Sequence, residues 1–235
     1  MPSRIRIEIA PGDHVTALVY PAPPRKRAGI AAVLAHGAGG NQMSPFMVEF
    51  ATGLAERGVD AVTFNFVYSE RKRRLPDRND KLEVCWRAVI AAARTGTLGP
   101  EVAGGALAIG GKSMGGRIAS QVAAADAGRL AGLVLLGYPL HPPGRADQLR
   151  TRHLPAISVP MLIVQGERDA FGTPDELRPV LRRLKAESQL YVVEGGDHSF
   201  KVPKSASTPQ TQIHARVLDE VERWLRATAG AERSS

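Results

Sequence analysis

A serine flanked by small residues, in Gly111-Lys112-Ser113-Met114-Gly115-Gly116, is where this chain can do chemistry. It follows the apolar run Ala106–Gly110 and opens the helix-like segment Gly116–Ala123. A serine at a tight strand-to-helix turn is the nucleophile-elbow pattern. The turn forces the serine into a strained backbone conformation that lifts its hydroxyl clear of the sheet. Side chains two residues to either side would collide with the neighbouring strand and helix, so small residues are required there. Gly111-Lys112-Ser113 also matches the tail of a phosphate-binding P-loop, which requires a glycine at position 106. Position 106 is Ala, and a strand fills the place where the phosphate loop would lie. The residues speak against nucleotide binding.

Three further segments end in polar groups. Ile30–Ala35 is a buried-strand run that leads into His36-Gly37-Ala38-Gly39-Gly40, a glycine-rich turn able to aim a backbone N–H at a developing oxyanion, together with the N–H that follows the nucleophile. Pro160–Gly166 leads into Glu167-Arg168-Asp169, and Gln189–Val193 into Glu194-Gly195-Gly196-Asp197-His198. Each places a polar group just past the C-terminal end of a strand, where open parallel sheets bind their ligands. The chain order is serine, acid, histidine.

On these motifs the sequence resembles the α/β-hydrolase superfamily, and within it a small, lid-poor group of hydrolases related to dienelactone hydrolases. The resemblance runs from the His36 turn to the last helix. It implies Ser113 as nucleophile, His198 as general base, Asp169 as the group that orients the imidazole, and the N–H groups of Ala38 and Met114 as the oxyanion hole. Lys112 departs from the pattern, standing where His, Gln or Asp is frequent. It leaves the elbow intact but alters the charge beside the nucleophile.

Each assignment has rivals. The chain has six histidines. His36 belongs to the oxyanion turn and is expected to brace it. His14 and His214 are expected to be structural or solvated. His141 can face the pocket and is a candidate substrate-binding residue, together with Gly37, but as a base it would reverse the chain order. Glu167 and Asp197 compete with Asp169 for the acid.

The elements that must position these groups are legible as alternating patterns. Apolar runs of five to seven residues alternate with longer helical stretches, which predicts an α/β fold: a mainly parallel central sheet of about eight strands, with helices on both faces. Two antiparallel strands, 4–9 and 14–20, come first. Strands 30–35, 59–66, 106–110, 132–137, 160–165 and 189–193 follow. Helices are expected at 44–57, 78–94, 114–127, 174–186 and 208–227. In the last of these, Ile213, Val217, Val221, Trp224 and Leu225 share one face. At 235 residues and 43% hydrophobic content, one domain over 1–229 is expected, with a frayed tail at 230–235.

The lone cysteine, Cys85, lies on the helical stripe Leu82-Cys85-Trp86-Val89 and reads as core. The start of the chain has no apolar leader and no run reaches membrane-spanning length, so a cytoplasmic setting is expected. No metal-ligand spacing is found, and neither metal nor cofactor is expected. The net charge of +8 is carried in part by Arg71-Lys72-Arg73-Arg74. No recognition helix or interleaved aromatics accompany it, so nucleic acid is not the expected partner. The run leaves a strand on the side of the site, where Arg73 and Arg74 can draw in an anionic substrate. The interval 138–159, with a helix expected around 147–154, is a lid too short for a deep acyl tunnel. Small esters, thioesters or lactones fit better than long-chain lipids. The alternative is a scaffold of the same fold with little or no turnover.

Overall fold

The apolar runs form strands because both of their faces are covered. The structure is a computed structural model that describes residues 2–206 and 208–232. Its strands are β1 Ser3–Ala10, β2 Asp13–Tyr20, β3 Ile30–Ala35, β4 Asp60–Phe64, β5 Ala106–Lys112, β6 Leu130–Leu136, β7 Met161–Gly166 and β8 Ser188–Val193. They form an eight-stranded sheet in the order β1-β2-β4-β3-β5-β6-β7-β8. β2 is antiparallel to β1 and β4, and every pairing from β4 to β8 is parallel. The helices are α1 Pro45–Glu56, α2 Val67–Glu70, α3 Asn79–Arg94, α4 Pro100–Ala103, α5 Met114–Ala125, α6 Pro174–Leu181 and α7 Gln210–Glu232, with a 3₁₀ turn at Leu154–Ala156.

Side chains along a strand alternate between the two faces. Ala31, Val33 and Ala35 of β3 pack with α3 and α5 residues such as Trp86, Val89 and Ile118. Ile30, Ala32 and Leu34 pack on the other face with Met47 and Phe50 of α1 and Val217, Val221 and Trp224 of α7. Burial on both faces is why the central strands read as continuous apolar runs rather than as alternating patterns.

The differences from the sequence reading have local causes. α6 starts at a Thr173–Glu176 capping box but ends at Leu181. Pro179 withholds a helical N–H, and the chain tightens into i→i+3 bonds from Arg183 and Leu184. α7 runs on to Glu232, past its expected end at 227 and into the tail expected to fray from 230, with Ala229 of its last turns buried; residues 233–235 lie outside the described residues. No α-helix forms at 147–154. Pro142, Pro143 and Pro155 break the segment, which is coil apart from the 3₁₀ turn. β5 extends to Lys112, so the sheet ladder reaches the residue before Ser113.

Candidate active site

Ser113 is the N-cap of α5 and has φ 51° and ψ −117°, a conformation that a residue with a Cβ rarely adopts. The sheet holds it there: its N–H donates to Leu136 O at 2.9 Å. The glycines of the elbow are needed for space. A Cβ on Gly111, at φ 133°, would lie 2.1 Å from Ala35 O, and one on Gly115 would lie 2.4 Å from the same oxygen. The start of α5 is therefore wedged against the end of β3.

His198 reaches the serine from the loop after β8. Its Nε2 lies 2.9 Å from Ser113 Oγ, and its Nδ1 lies 2.8 Å from Asp169 Oδ2. Asp169, past β7, is 1% exposed and also accepts from Gln165 Nε2 and Phe171 N–H, both at 2.8 Å. The Phe171 ring lies against the imidazole, with centroids 4.2 Å apart. This fixes the ring plane while His198 keeps 21% side-chain exposure. The rival acids are occupied elsewhere. Glu167 accepts from Gly195 N–H at 2.7 Å, and Asp197 accepts from Ser199 and Lys201 N–H, shaping the loop that carries His198.

The turn after β3 sits directly beside the serine: a Cβ on Gly37 would meet Ser113 Cβ at 3.4 Å. His36 braces it from beneath. Burial lowers the His36 pKa to about 4, so the ring is neutral. Nδ1–H donates to Gly37 O at 2.8 Å, which leaves Nε2 to accept from Phe66 N–H at 3.3 Å. Met114 opens α5, where the first N–H groups have no intrahelical acceptor. Among the described residues neither the Ala38 nor the Met114 N–H is drawn into a backbone hydrogen bond outside the regular elements. Both residues line a cleft of about 540 Å³ that also contains Ser113 and His198.

Three residues expected at the substrate are elsewhere. His141 is buried with Nδ1 2.8 Å from Pro142 O and Nε2 3.3 Å from Glu176 Oε1, and it does not line the cleft, because the chain turns it under the loop toward α6. Arg73 pairs with Asp77 at 2.6 Å, and Arg74 is exposed and does not line the cleft. The basic run thus supplies a counter-ion to Asp77, a cleft-wall residue.

The sequence reading missed Gln165, Arg117 and Arg150. Gln165 Nε2 donates to Asp169 Oδ2 and Gly172 O, and its Oε1 accepts from Tyr138 N–H, which ties the β6 and β7 exits together. Arg117 and Arg150 line the cleft. Lys112, expected only to alter local charge, donates from Nζ to His198 O and lies 5.6 Å from the Phe46 and Phe200 ring centroids. Its burial lowers the pKa to about 8, against the opposing pull of Asp169 and Asp197.

A second serine–histidine pair exists, Ser120 Oγ and His153 Nε2 at 2.8 Å. Ser120 is fully buried and its hydroxyl donates to Arg117 O, while burial and then the Arg117 charge lower the His153 pKa to about 4. No carboxylate meets the other ring nitrogen among the described residues. The pair fastens the loop to α5. Among the described residues no three His, Cys, Asp or Glu side chains converge as a metal site would require, and no helix is long and apolar enough to cross a membrane.

A family model described as an alpha/beta hydrolase domain matches residues 28–226, a span that includes the elbow, the β3 turn and both partner loops. The chain belongs to the α/β-hydrolase domain family. Solved structures agree with this α/β-hydrolase in fold. One is an α/β serine hydrolase without a lid from Xanthomonas campestris, 19% identical, with a TM-score of 0.69 over 97% of this chain and 93% of the other. Another is dienelactone hydrolase from Anabaena variabilis, 19% identical, with a TM-score of 0.67 over 95% and 96%. A third is Est1E from Butyrivibrio proteoclasticus with ferulic acid bound, 16% identical, with a TM-score of 0.74 over 95% and 99%.

Proposed function

We propose that this α/β-hydrolase is a serine hydrolase that cleaves small carboxylic esters, thioesters or lactones through an acyl-enzyme. The observation that carries the reading is the continuous hydrogen-bonded line from Ser113 Oγ through His198 to Asp169, at 2.9 and 2.8 Å, opening on the cleft. In this reading His198 Nε2 takes the serine proton as Oγ attacks the carbonyl carbon. The Ala38 and Met114 N–H groups receive the oxyanion. His198 then returns the proton to the leaving group, and water, deprotonated by the same nitrogen, releases the acid. Asp169 holds Nδ1–H and stabilises the imidazolium. The acyl group is small because the 138–159 cover is coil and builds no tunnel. The bound ferulic acid of Est1E supports a small carboxylic acid as the kind of product such a cleft can hold.

Covalent labelling tests the reading. A fluorophosphonate should modify Ser113 with stoichiometry near one, and Ser113→Ala and His198→Ala should each abolish labelling and turnover of 4-nitrophenyl acetate. Their combination should lose little more, because such groups act as a unit. A folded wild-type protein that leaves Ser113 unlabelled, and hydrolyses esters no faster than Ser113→Ala, would sink the hydrolase reading in favour of a scaffold.

A further inference from the structure

Lys112 puts a cation where the fold would accept an apolar side chain. It is the last residue of β5, one place before Ser113, and it is only 9% exposed. Successive side chains of a strand point to opposite faces. That of Lys112 runs between the Phe46 and Phe200 rings, on the α1 and α7 side of the sheet. Among the described residues no carboxylate pairs with it directly. Asp169 and Asp197 attract it from a distance, but their oxygens are engaged elsewhere, Asp169 by His198, Gln165 and Phe171, Asp197 by the Ser199 and Lys201 N–H groups. An ammonium buried in this way costs stability that a methionine would not. What it makes with its charge is one bond, to the backbone carbonyl of His198. Gly137, at φ 65°, keeps the room for that bond, since a Cβ there would lie 2.8 Å from Lys112 Nζ and 2.9 Å from His198 O.

The other fastenings of the loop give this bond its weight. From Glu194 to Lys201 the chain bonds within itself and to the end of β8, to Glu167, Arg168 and Asp169 at the β7 exit, and to Gln210 of α7. β6 separates β7 from β5. Among the described residues, the hydrogen bonds from this loop to β5 and its elbow are those of Lys112 Nζ with His198 O and of His198 Nε2 with Ser113 Oγ. In the proposed cycle the second breaks and re-forms as the serine proton leaves and returns. The first can persist throughout.

We propose that Lys112 is a positioning residue for the base: its ammonium fixes the His198 backbone relative to the elbow, and turnover depends on that charge-assisted bond. The proposal rests on the hydrolase reading of Ser113 and deepens it. Charge-assisted hydrogen bonds are about twice as strong as neutral ones, and a misplacement of about 1 Å can cost a hundredfold in rate. The charged and titratable groups facing the ammonium are Asp169 from the β7 exit and Asp197 and His198 from the β8 exit; α1 presents the Phe46 ring. Burial lowers the Lys112 pKa to about 8, so the folded protein loses this proton before the unfolded chain does. Above that pH the fold gains stability while the tie to His198 weakens. A side chain that merely packed would not move stability and turnover in opposite directions.

The test measures kcat and KM for 4-nitrophenyl acetate from neutral pH to about pH 10, after subtraction of the uncatalysed rate, with melting curves on the same samples. Wild-type kcat should fall as the pH passes about 8. Lys112→Met should lose about ten- to a hundredfold in kcat at neutral pH, with KM little changed and no alkaline fall. Lys112→Arg should recover part of the loss. Ethylammonium chloride should do the same for Lys112→Ala where sodium chloride does not, because the vacated slot opens on the cleft. A loss in Lys112→Met that neither cation relieves would be a packing defect and would overturn the proposal. So would a wild-type kcat that stays level to about pH 10, or a folded Lys112→Met with turnover within about threefold of wild type. If Lys112→Met fails to fold, the wild-type profile decides. Each of these results leaves the hydrolase standing, whereas a wild-type protein that neither labels at Ser113 nor turns over ester overturns the hydrolase reading itself.

Discussion

Gly115→Ala adds one methyl group at the point where the proposed nucleophile and the proposed oxyanion turn share a wall. The new Cβ would lie 2.4 Å from Ala35 O, 2.6 Å from Ala35 C and 2.7 Å from His36 O. Ordinary carbon contacts begin near about 3.5 Å, so the end of β3 or the start of α5 must retreat by roughly 1 Å. All three obstructing atoms are backbone, so no side chain can rotate away. Overpacking of this kind costs about 1–3 kcal/mol, against a gain of about 1 kcal/mol for alanine over glycine in a helix. At about 2–4 °C per kcal/mol for a chain of this size, Tm should fall by up to about 8 °C. The effect on catalysis should be larger, because Ala35 and His36 lead straight into Gly37 and Ala38. Displacing one aimed donor costs about 10²–10³ in turnover. Thermal melts and 4-nitrophenyl acetate hydrolysis on the same preparation check both numbers. A variant with wild-type Tm and turnover within about threefold would show that the end of β3 yields freely, and the wedge argument would be wrong.

Three other outcomes are expected. Ser113→Gly should be more stable than Ser113→Ala by about 1 kcal/mol in urea unfolding, because φ 51° costs a residue with a Cβ about 1–3 kcal/mol and glycine returns part of that in chain entropy; equal stabilities would mean the elbow stores no strain. Lys112 has its pKa lowered from 10.5 to about 8, so the folded state loses this proton first, and stability should rise with pH between about 8 and 10.5 by about 3 kcal/mol relative to Lys112→Met, which lacks the group. Urea titrations at pH 7, 9 and 10.5 measure that difference, and a gap between the two proteins that stays flat with pH would refute it. Acetyl to butyryl esters should be preferred among neutral substrates, with efficiency falling beyond about eight carbons, since each methylene gains about 0.8 kcal/mol only where a wall covers it; a steady climb to palmitoyl esters would count against the short cover.

The sequence made the sheet legible because its strands are buried on both faces, so runs such as Ile30–Ala35 and Met161–Gly166 stand out without any alternation to decode. Ser113, Asp169 and His198 could be nominated because each follows a strand end directly, and a parallel sheet gathers such ends along one edge. What failed were side chains farther along a loop, where the turn of the chain decides which way they face. His141 was close to the right place in the chain but is folded under toward Glu176, and Arg73 spends its charge on Asp77. Arg117 and Arg150 were invisible for the opposite reason. On paper one is a surface-like cation of an amphipathic helix and the other sits in a polar coil, and only their convergence distinguishes them. Gln165 was hidden inside an apolar strand, where a buried amide signals a hydrogen-bonding duty that its neighbours alone cannot specify.

The coil between β6 and β7 is stapled at both ends of its excursion, by Tyr138 Oη on Arg150 O and by Arg150 N–H on Leu140 O. With its base pinned in this way the cover should stay in place through the proposed reaction, giving water the same access to the serine before and after an acyl group arrives. In the proposed cycle the acyl-enzyme would therefore be short-lived, and bulk water would outcompete added alcohols or amines as the acceptor. Turnover should follow the chemistry of the ester rather than the viscosity of the medium, and an engineer who wanted a transferase from this scaffold would have to begin by keeping water out.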